Sequence, residues 1–555
     1  MRTALIVFAI AFVAFACLFL QMSILWDADS YYHLAVARHY ATHGLLTPIP
    51  WARFSMLANG ADKELLFHIL LMPFATSTGG RIALALLNAA LFALIGNLCS
   101  RAVGTIGYAI PLTIWIAAPP FFARAVRLRP ELLALLLILF AIRASAKQLG
   151  ILAFLFTLSY TAWHVFFALC VLFLWRIGAS PVRSSADRGQ ARAPILHGIT
   201  YPLLGTLAGL LILPHPIANL QLWFTQNVLF FFDKSHLDVG NEILPPSPRI
   251  VIACLGWLVF LALTLRKRRE HDPVAIAALI PAIVFTLLFL GMARMSTYFF
   301  PLATVALILL FERSRFLPIA IAVGTLIGIP LTADPTFLRI LAGGRIAEHD
   351  WSSFGKRVLP NAKIAATWGD AEVYAFYAPQ GRYLNVLDPI FMARPHAREY
   401  AIQRALFDGT HPDLVAAARD LDSDYIAFDW TTAPRDFVAR AKSDPRLHPV
   451  YIGYNVLLHV IPDTNVTFTT APPQCTTFNR LVEGPSTLSF APYGPGAIAL
   501  DEKVIAASKG TKAILARAIP LQIPPGSHRL AIRTCPANGY NGFYLTNIGF
   551  AAQGE

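Results

Sequence analysis

The sequence predicts a polytopic α-helical membrane protein of about eleven spans, with an external α/β domain and a C-terminal β-sandwich-like domain. Three observations carry that prediction. Of 555 residues, 56% are hydrophobic and only 14% charged, with a mean hydropathy of +0.56. Apolar runs of about 17–20 residues, the length that crosses a bilayer, recur through residues 1–332. Beyond residue 332 the runs stop and short strand and helix signals alternate.

The first run, Leu5 to Leu20 behind Arg2, has the flank of a signal peptide. No small-residue cleavage site follows it, and "AFAC" ending at Cys17 continues into further apolar residues, so it reads as an uncleaved span over 3–22. The other predicted spans are 82–99, 104–122, 131–147, 149–163, 165–178, 197–213, 250–266, 272–290, 298–312 and 316–332. One further apolar stretch, "LLFHILLMPF" at 65–74, is short and contains His68 and Pro73.

Charge decides how that stretch is placed. If it does not span, Arg2, Arg101, Arg143 with Lys147, the Arg176–Arg192 loop, "RKRR" at 266–269 and "ERSR" at 312–315 share one face. The positive-inside rule makes that face cytoplasmic. If it spans, the last two clusters move outside while the N-terminus stays inside. The predicted topology therefore has the N-terminus inside, the C-terminus outside, and 65–74 lying on the outer surface. The net charge of +13 becomes mainly a topology signal, with the lipid bilayer as partner and no nucleic acid.

Three regions follow: a transmembrane domain over 1–332 with a large first external loop at 23–80, an external α/β domain over 333–464, and an external β-rich domain over 465–555. A second long external loop covers Pro214–Arg249. In the α/β domain "KIAATW", "YLNVLD" and "DYIAFD" read as strands. "DAEVYAFYA" and "APRDFVARAKSD" read as helices, and "VYIGYNVLLHVI" as a strand or hairpin. "GSHRLAIRT" and "GFYLTNIGF" show the short alternation expected of the last domain. Cys475 and Cys535 are the external cysteines, and either a disulfide or two separate buried thiols fits them. "NVT" at 465–467 fits a glycosylation acceptor.

The chemistry concentrates where spans meet the outer face. "ILWDADSYYHL" places Asp27 and Asp29 two residues apart, directly after the first span. In an extended segment both carboxylates share a face and suit a hard divalent cation, Mg²⁺ or Mn²⁺. One alone can act as a general base. Helix capping by Asp29 or Ser30 explains one acid but not Asp27. "FFARAVRLRPELL" at 121–133 puts Arg124, Arg127 and Arg129 on the outer side, against the charge trend, where arginines suit a phosphate. Glu131 stands beside them and can join the acids around a metal. Arg294 in "GMARMSTYFFP" is the charge of another external turn. The 214–249 loop adds His215, Asp233, Lys234, His236, Asp238 and Glu242, as befits a lid or substrate loop. Trp163-His164 reads as an interfacial anchor. Walker, Rossmann, zinc-spacing and serine-elbow patterns do not stand out in the sequence, so nothing in it supports phosphate chemistry driven by cytoplasmic nucleotide.

With these stretches in hand, the chain resembles the GT-C glycosyltransferases, most nearly the branch of oligosaccharyltransferase catalytic subunits. "WDADSYYH" resembles the superfamily's first acidic motif, and "ARAVRLRPELL" occupies the place of its second. "ARMSTYFFPLA" resembles the late arginine segment, and "TWGDAEVYAFYAPQGRYLNVLDP" (367–389) stands where the family has its WWD motif. The resemblance implies a polyprenyl-phosphate or polyprenyl-diphosphate sugar donor and a divalent cation. It further implies Asp27 and Asp29 as catalytic residues and, with Glu131, as metal ligands; Glu242 of the 214–249 loop is expected as a fourth ligand. Arg124, Arg127, Arg129, Arg294 and His33 are the expected donor-binding residues. The acceptor is expected to be a glycan, lipid or protein, and the location a bacterial inner membrane with a periplasmic C-terminal domain. "RPE" offers one acid where the second motif has two, and "WGD" lacks the second Trp, so recognition of a protein sequon does not follow. A lipid-linked glycan flippase, or a GT-C-like binding protein without catalysis, are the alternatives. A flippase calls for charges at the middle of spans, whereas here they sit at the ends.

Overall fold

The computed structural model describes residues 2–22, 25–45, 47–178, 192–233, 237, 241–252, 273–310, 351–460, 476–492, 495–509, 519–534 and 543–546. The predicted spans at 250–266 and 316–332 lie largely or wholly outside them, as do Cys475, Cys535 and residues 465–467.

Among the described residues, the regular elements of the membrane half are helices. Its first helices are α1 (Arg2–Leu20), α2 (Ala28–His43), α3 (Leu65–Leu71), α4 (Ser77–Val103), α5 (Ile110–Ala117), α6 (Pro119–Ala125), α7 (Pro130–Ala141), α8 (Ala146–Ser159) and α9 (Trp163–Gly178). Further helices follow at Arg192–Ile212, Pro216–Phe224, Pro273–Gly291 and Ser296–Leu310. Among the described residues four helical stretches are long and apolar enough to cross a membrane, or five if the pair bent by 111° at Leu213–His215 counts as one. The runs predicted as spans at 131–147, 149–163 and 165–178 form shorter apolar helices. Pro119 and Pro130 explain two of the breaks, because each starts a helix at a position where its missing N–H costs nothing. The 65–74 stretch is a helix of 7 residues followed by a 3₁₀ turn, far short of about 20 residues needed to span.

The α/β portion builds a mixed five-stranded sheet from β1 (Lys363–Ala365), β2 (Arg382–Tyr383), β3 (Tyr425–Asp429), β4 (Leu447–Ile452) and β5 (Asn455–Val460), in the order β2-β1-β3-β5-β4. Both parallel pairings centre on β1, while β3, β5 and β4 run antiparallel. The expected strand "YLNVLD" stops at Tyr383. Asn385 donates to the Asp388 carbonyl at 3.0 Å, and Leu387 takes a left-handed φ of 73°, so the chain turns instead of extending.

The C-terminal portion differs from the expected sandwich. β6 (Thr476–Pro492), β7 (Pro495–Leu500), β8 (Lys503–Lys509), β9 (Ile519–Thr534) and β10 (Phe543–Thr546) form one antiparallel sheet in the order β10-β6-β9-β7-β8. β6 and β9 are 17 and 16 residues long and pair along nearly their whole length, so the strands extend one sheet. A second sheet facing it is not found among the described residues.

The 23–80 loop does not stand apart from the α/β portion. Ala52 bridges Tyr383 in parallel, with Tyr383 N–H donating to Trp51 at 2.7 Å and Arg53 N–H to Tyr383 at 2.9 Å, so 51–53 extends the β2 edge. Trp51 Nε1 donates to the Pro379 carbonyl at 2.9 Å. The Tyr31 ring of α2 packs against Trp351, Phe376 and Tyr377 at 5.3–5.5 Å between centroids. One continuous apolar core therefore joins the membrane helices, the loop and the sheet, and it fixes what faces what at the site.

Candidate functional site

A cavity of about 340 Å³ lies where α2, the Arg127–Glu131 turn, the 214–249 loop and the Trp368–Tyr377 helix converge. Among its lining residues are Asp27, Asp29, His33, Lys63, Glu64, Arg127, Arg129, Glu131, Glu242, Arg294, Trp368 and Asp388.

Asp27 occupies the N-cap position of α2 in extended conformation, yet its side chain caps nothing. It accepts a bidentate pair from Arg129 instead, at 2.5 and 2.6 Å, which is the strong fork geometry of guanidinium and carboxylate. Ser30 is not the cap either: its Oγ accepts from the Leu128 N–H at 2.9 Å and so ties α2 to the arginine turn. Asp29 lies in the first turn with Oδ2 at 3.1 Å from Arg129 Nη1.

Glu242 meets three guanidiniums. Arg127 donates to it at 2.5 Å, Arg129 at 2.8 Å, and Arg124 donates to the same Oε2 as Arg127. Burial alone would raise this carboxyl. Arg124, Arg129, Arg294 and Arg127 outweigh it and hold Glu242 well below the usual carboxylate range. With both oxygens taken, Glu242 is a carboxylate seated in an anion site rather than a free ligand. Glu131, at the start of α7, accepts from Arg124 at 2.9 Å and Arg294 at 2.7 Å through Oε1, while its buried Oε2 has no partner among the described residues.

One acid escaped the reading of the sequence. Glu372, in the Trp368–Tyr377 helix, is fully buried and both of its carboxyl oxygens lack a hydrogen-bond donor among the described residues. Its strongest electrostatic neighbours are Asp29 and Asp27. Burial first, then those two carboxylates, push Glu372 well above the usual range. Burial likewise lifts Asp29 to about 7, with Asp27 and Glu242 adding to it and Arg129 opposing. Two carboxyls that resist ionising together fit either one shared proton or a cation between them. The sequence signal was present, since Glu372 is an acid set among Ala371, Val373 and Tyr374, all buried.

The structure thus brings together Asp27, Asp29, Glu131, Glu242, Arg124, Arg127, Arg129 and Arg294. His33 lies one turn beyond Asp29, its Nδ1 at 3.0 Å from His68 Nε2. Three segments are strapped together at the cavity wall. Lys63 donates to Gln226 at 2.8 Å and Gln226 donates to Asp388 at 2.7 Å, with Gln226 in a π-helical turn of the 214–249 loop. Elsewhere on that loop Asp233 pairs with Arg394 at 2.9 Å, while Lys234, His236 and Asp238 lie outside the described residues. His164 accepts from Trp223 Nε1 at 3.0 Å, away from the cavity lining.

No family model matches this chain, and no curated protein does. Solved structures similar to it include an oligosaccharyltransferase of Archaeoglobus fulgidus tethered to an acceptor peptide, at 12% identity over 77% of this chain and 69% of that one, TM-score 0.45. ArnT from Cupriavidus metallidurans in the apo state matches at 13% identity over 82% and 98%, TM-score 0.47. The arabinofuranosyltransferase AftD from Mycobacteria matches at 11% identity over 96% and 57%, TM-score 0.46. At such identities and scores, the chemistry of this chain rests on its own residues.

Proposed function

We propose that the protein is a glycosyltransferase that moves a sugar or glycan from a polyprenyl-phosphate or polyprenyl-diphosphate donor to a glycan, lipid or protein acceptor at the outer face of the membrane. One observation carries this reading: a single cavity holds a carboxyl cluster against an arginine cluster already occupied by an anionic group, Glu242. Arginines that accept a carboxylate there have the charge and fork geometry for a phosphate.

Arg124, Arg127 and Arg129 hold the donor phosphate in the place of the Glu242 carboxylate. Asp29, with its carboxyl near 7, takes the proton of the acceptor hydroxyl as the new bond to the sugar's anomeric carbon forms. The anomeric carbon–phosphate oxygen bond breaks, configuration inverts, and the arginines stabilise the charge that grows on the departing phosphate. Asp27 keeps Arg129 aimed through its bidentate pair. The unpartnered oxygens of Glu372 and the facing Asp29 would suit a hard divalent cation such as Mg²⁺ or Mn²⁺. Such a cation supplies positive charge beside the phosphate.

The test uses lipid extracts of a strain that lacks the protein, in which mass spectrometry should find an accumulated polyprenyl-linked sugar. Wild-type chain should clear it, and an Asp27→Asn/Asp29→Asn double variant that inserts normally should clear it about two or more orders of magnitude more slowly. Full clearance by the double variant removes catalysis from this pair.

A further inference from the structure

Beside the acidic cluster lies a second constellation of different chemistry. His33 on α2, Glu64, and His68 on α3 bring one ligand atom each within 4.8 Å of one another, and all three residues are buried. His33 Nδ1 stands 3.0 Å from His68 Nε2 and 3.8 Å from Glu64 Oε2. A tetrahedral ion with bonds of about 2.0 Å separates its ligand atoms by roughly 3.3 Å, so these spacings bracket what such an ion requires.

The outer groups are in place as well. His68 Nδ1 lies 2.8 Å from Asp62 Oδ2, and Tyr40 Oη donates to the same carboxylate at 2.9 Å. A buried carboxylate on Nδ1 puts the proton there, which leaves Nε2 with its lone pair aimed at His33 and Glu64. Asp62 is further fixed by the Glu64 N–H, which donates to Oδ1 at 2.9 Å. The Phe67 ring stands edge-on to His33 at 5.1 Å, so the imidazole cannot swing away freely. The Glu64 carboxylate has Lys63 at 3.6 Å and His33 at 3.8 Å, neither of them a hydrogen bond.

We infer that His33, Glu64 and His68 form a binding site for a borderline transition-metal cation, zinc by preference, separate from the carboxylate site at Asp27 and Asp29. Two imidazole nitrogens and one carboxylate oxygen suit zinc, whereas magnesium and calcium take oxygen ligands. Three protein ligands leave a fourth position. His33 and Glu64 line the cavity while His68 is enclosed, so that position opens toward the cavity. The ion pins α3 to α2 one helical turn from Asp29, on the same helix face, and thereby holds the acid pair in register. Nothing in this inference depends on transferase activity.

The test uses the full chain purified in detergent, stripped with a chelator and titrated with Zn²⁺, then with Co²⁺ as a spectroscopic substitute. Wild type should bind one equivalent of Zn²⁺ that excess Mg²⁺ does not displace, and Co²⁺ should give the visible absorption of a low-symmetry site. His68→Ala should abolish both, and Glu64→Gln, a milder change that spares folding, should weaken both. Asp62→Asn should lower affinity about 10–100-fold through the outer hydrogen bond. Asp27→Asn/Asp29→Asn should bind Zn²⁺ like wild type, which separates this site from the carboxylates. Less than a tenth of an equivalent in wild type (about the level of contaminating metal) overturns the inference, as does equal binding by wild type and Glu64→Gln.

Discussion

Helices α1 and α2 follow one another in the chain and reverse the usual link between apolarity and burial. α1 is apolar along its whole length after Thr3, yet Leu5, Ile6, Ile10 and Val13 are 58–67% exposed. α2 carries Asp29, three tyrosines, three histidines and an arginine, yet 10 of its 16 residues are buried. The difference lies in the solvent. α1 presents its side chains to lipid, where apolar surface needs no protein cover. α2 is enclosed by protein on several sides, and its buried tyrosines and arginine are tolerated because they have built partners. Tyr31 Oη accepts from the Leu25 N–H at 3.1 Å, Tyr40 Oη donates to Asp62, and Arg38 stacks 4.3 Å above Phe376.

That contrast should show in stability. Tyr31→Ala removes a ring packed against Trp351, Phe376 and Tyr377, and should cost about 3–5 kcal/mol. Ile10→Ala on α1 should change stability by no more than about 0.5 kcal/mol, since its side chain meets lipid. Thermal unfolding of both variants in detergent measures the pair. Equal losses would show that the two helices are buried alike.

A smaller effect is expected on pH. The fold holds Asp29 near 7, above its ordinary 3.8, through burial first. Because the folded state favours the proton, this group's stabilising contribution is complete below 3.8 and is lost as pH rises through about 7. Activity has the opposite sign, because the base must be ionised. Donor turnover should rise about tenfold from pH 6 to pH 8 and then level, and the step should vanish in whatever activity Asp29→Asn retains. A flat profile in wild type would take the base role away from Asp29. Saturating Mg²⁺ should move the midpoint down by favouring the ionised form.

The smallest effect concerns Glu242. If it fills the phosphate's place, Glu242→Gln should weaken the competition and lower the KM for donor several-fold, about 1 kcal/mol, with kcat little changed. A raised KM would make Glu242 a partner of the donor rather than its stand-in.

Much of the site was legible in order along the chain. Asp27, Asp29, Arg124, Arg127, Arg129, Glu131 and Arg294 stand out because charge beside an apolar run is locally conspicuous. Helix and strand positions in the α/β portion were legible for the same reason, as "DYIAFD" and "APRDFVARAKSD" illustrate with β3 and the Arg435–Ser443 helix. The strand expected at "YLNVLD" was not, because a side-chain hydrogen bond and one left-handed residue override its β-branched pattern.

By itself, then, the sequence determined the apolar runs, the placing of charges at their ends and the residues able to do chemistry, since these depend on composition over a few turns of chain. Only the tertiary structure decided the pairings. It placed Asp27 on Arg129 rather than on its own helix terminus, Glu372 against Asp29 from the far half of the chain, and His68 on His33. No local pattern encodes such contacts. They arise because one core, shared by the 23–80 loop and the sheet, brings distant segments to a common wall and leaves buried acids and imidazoles to find each other there.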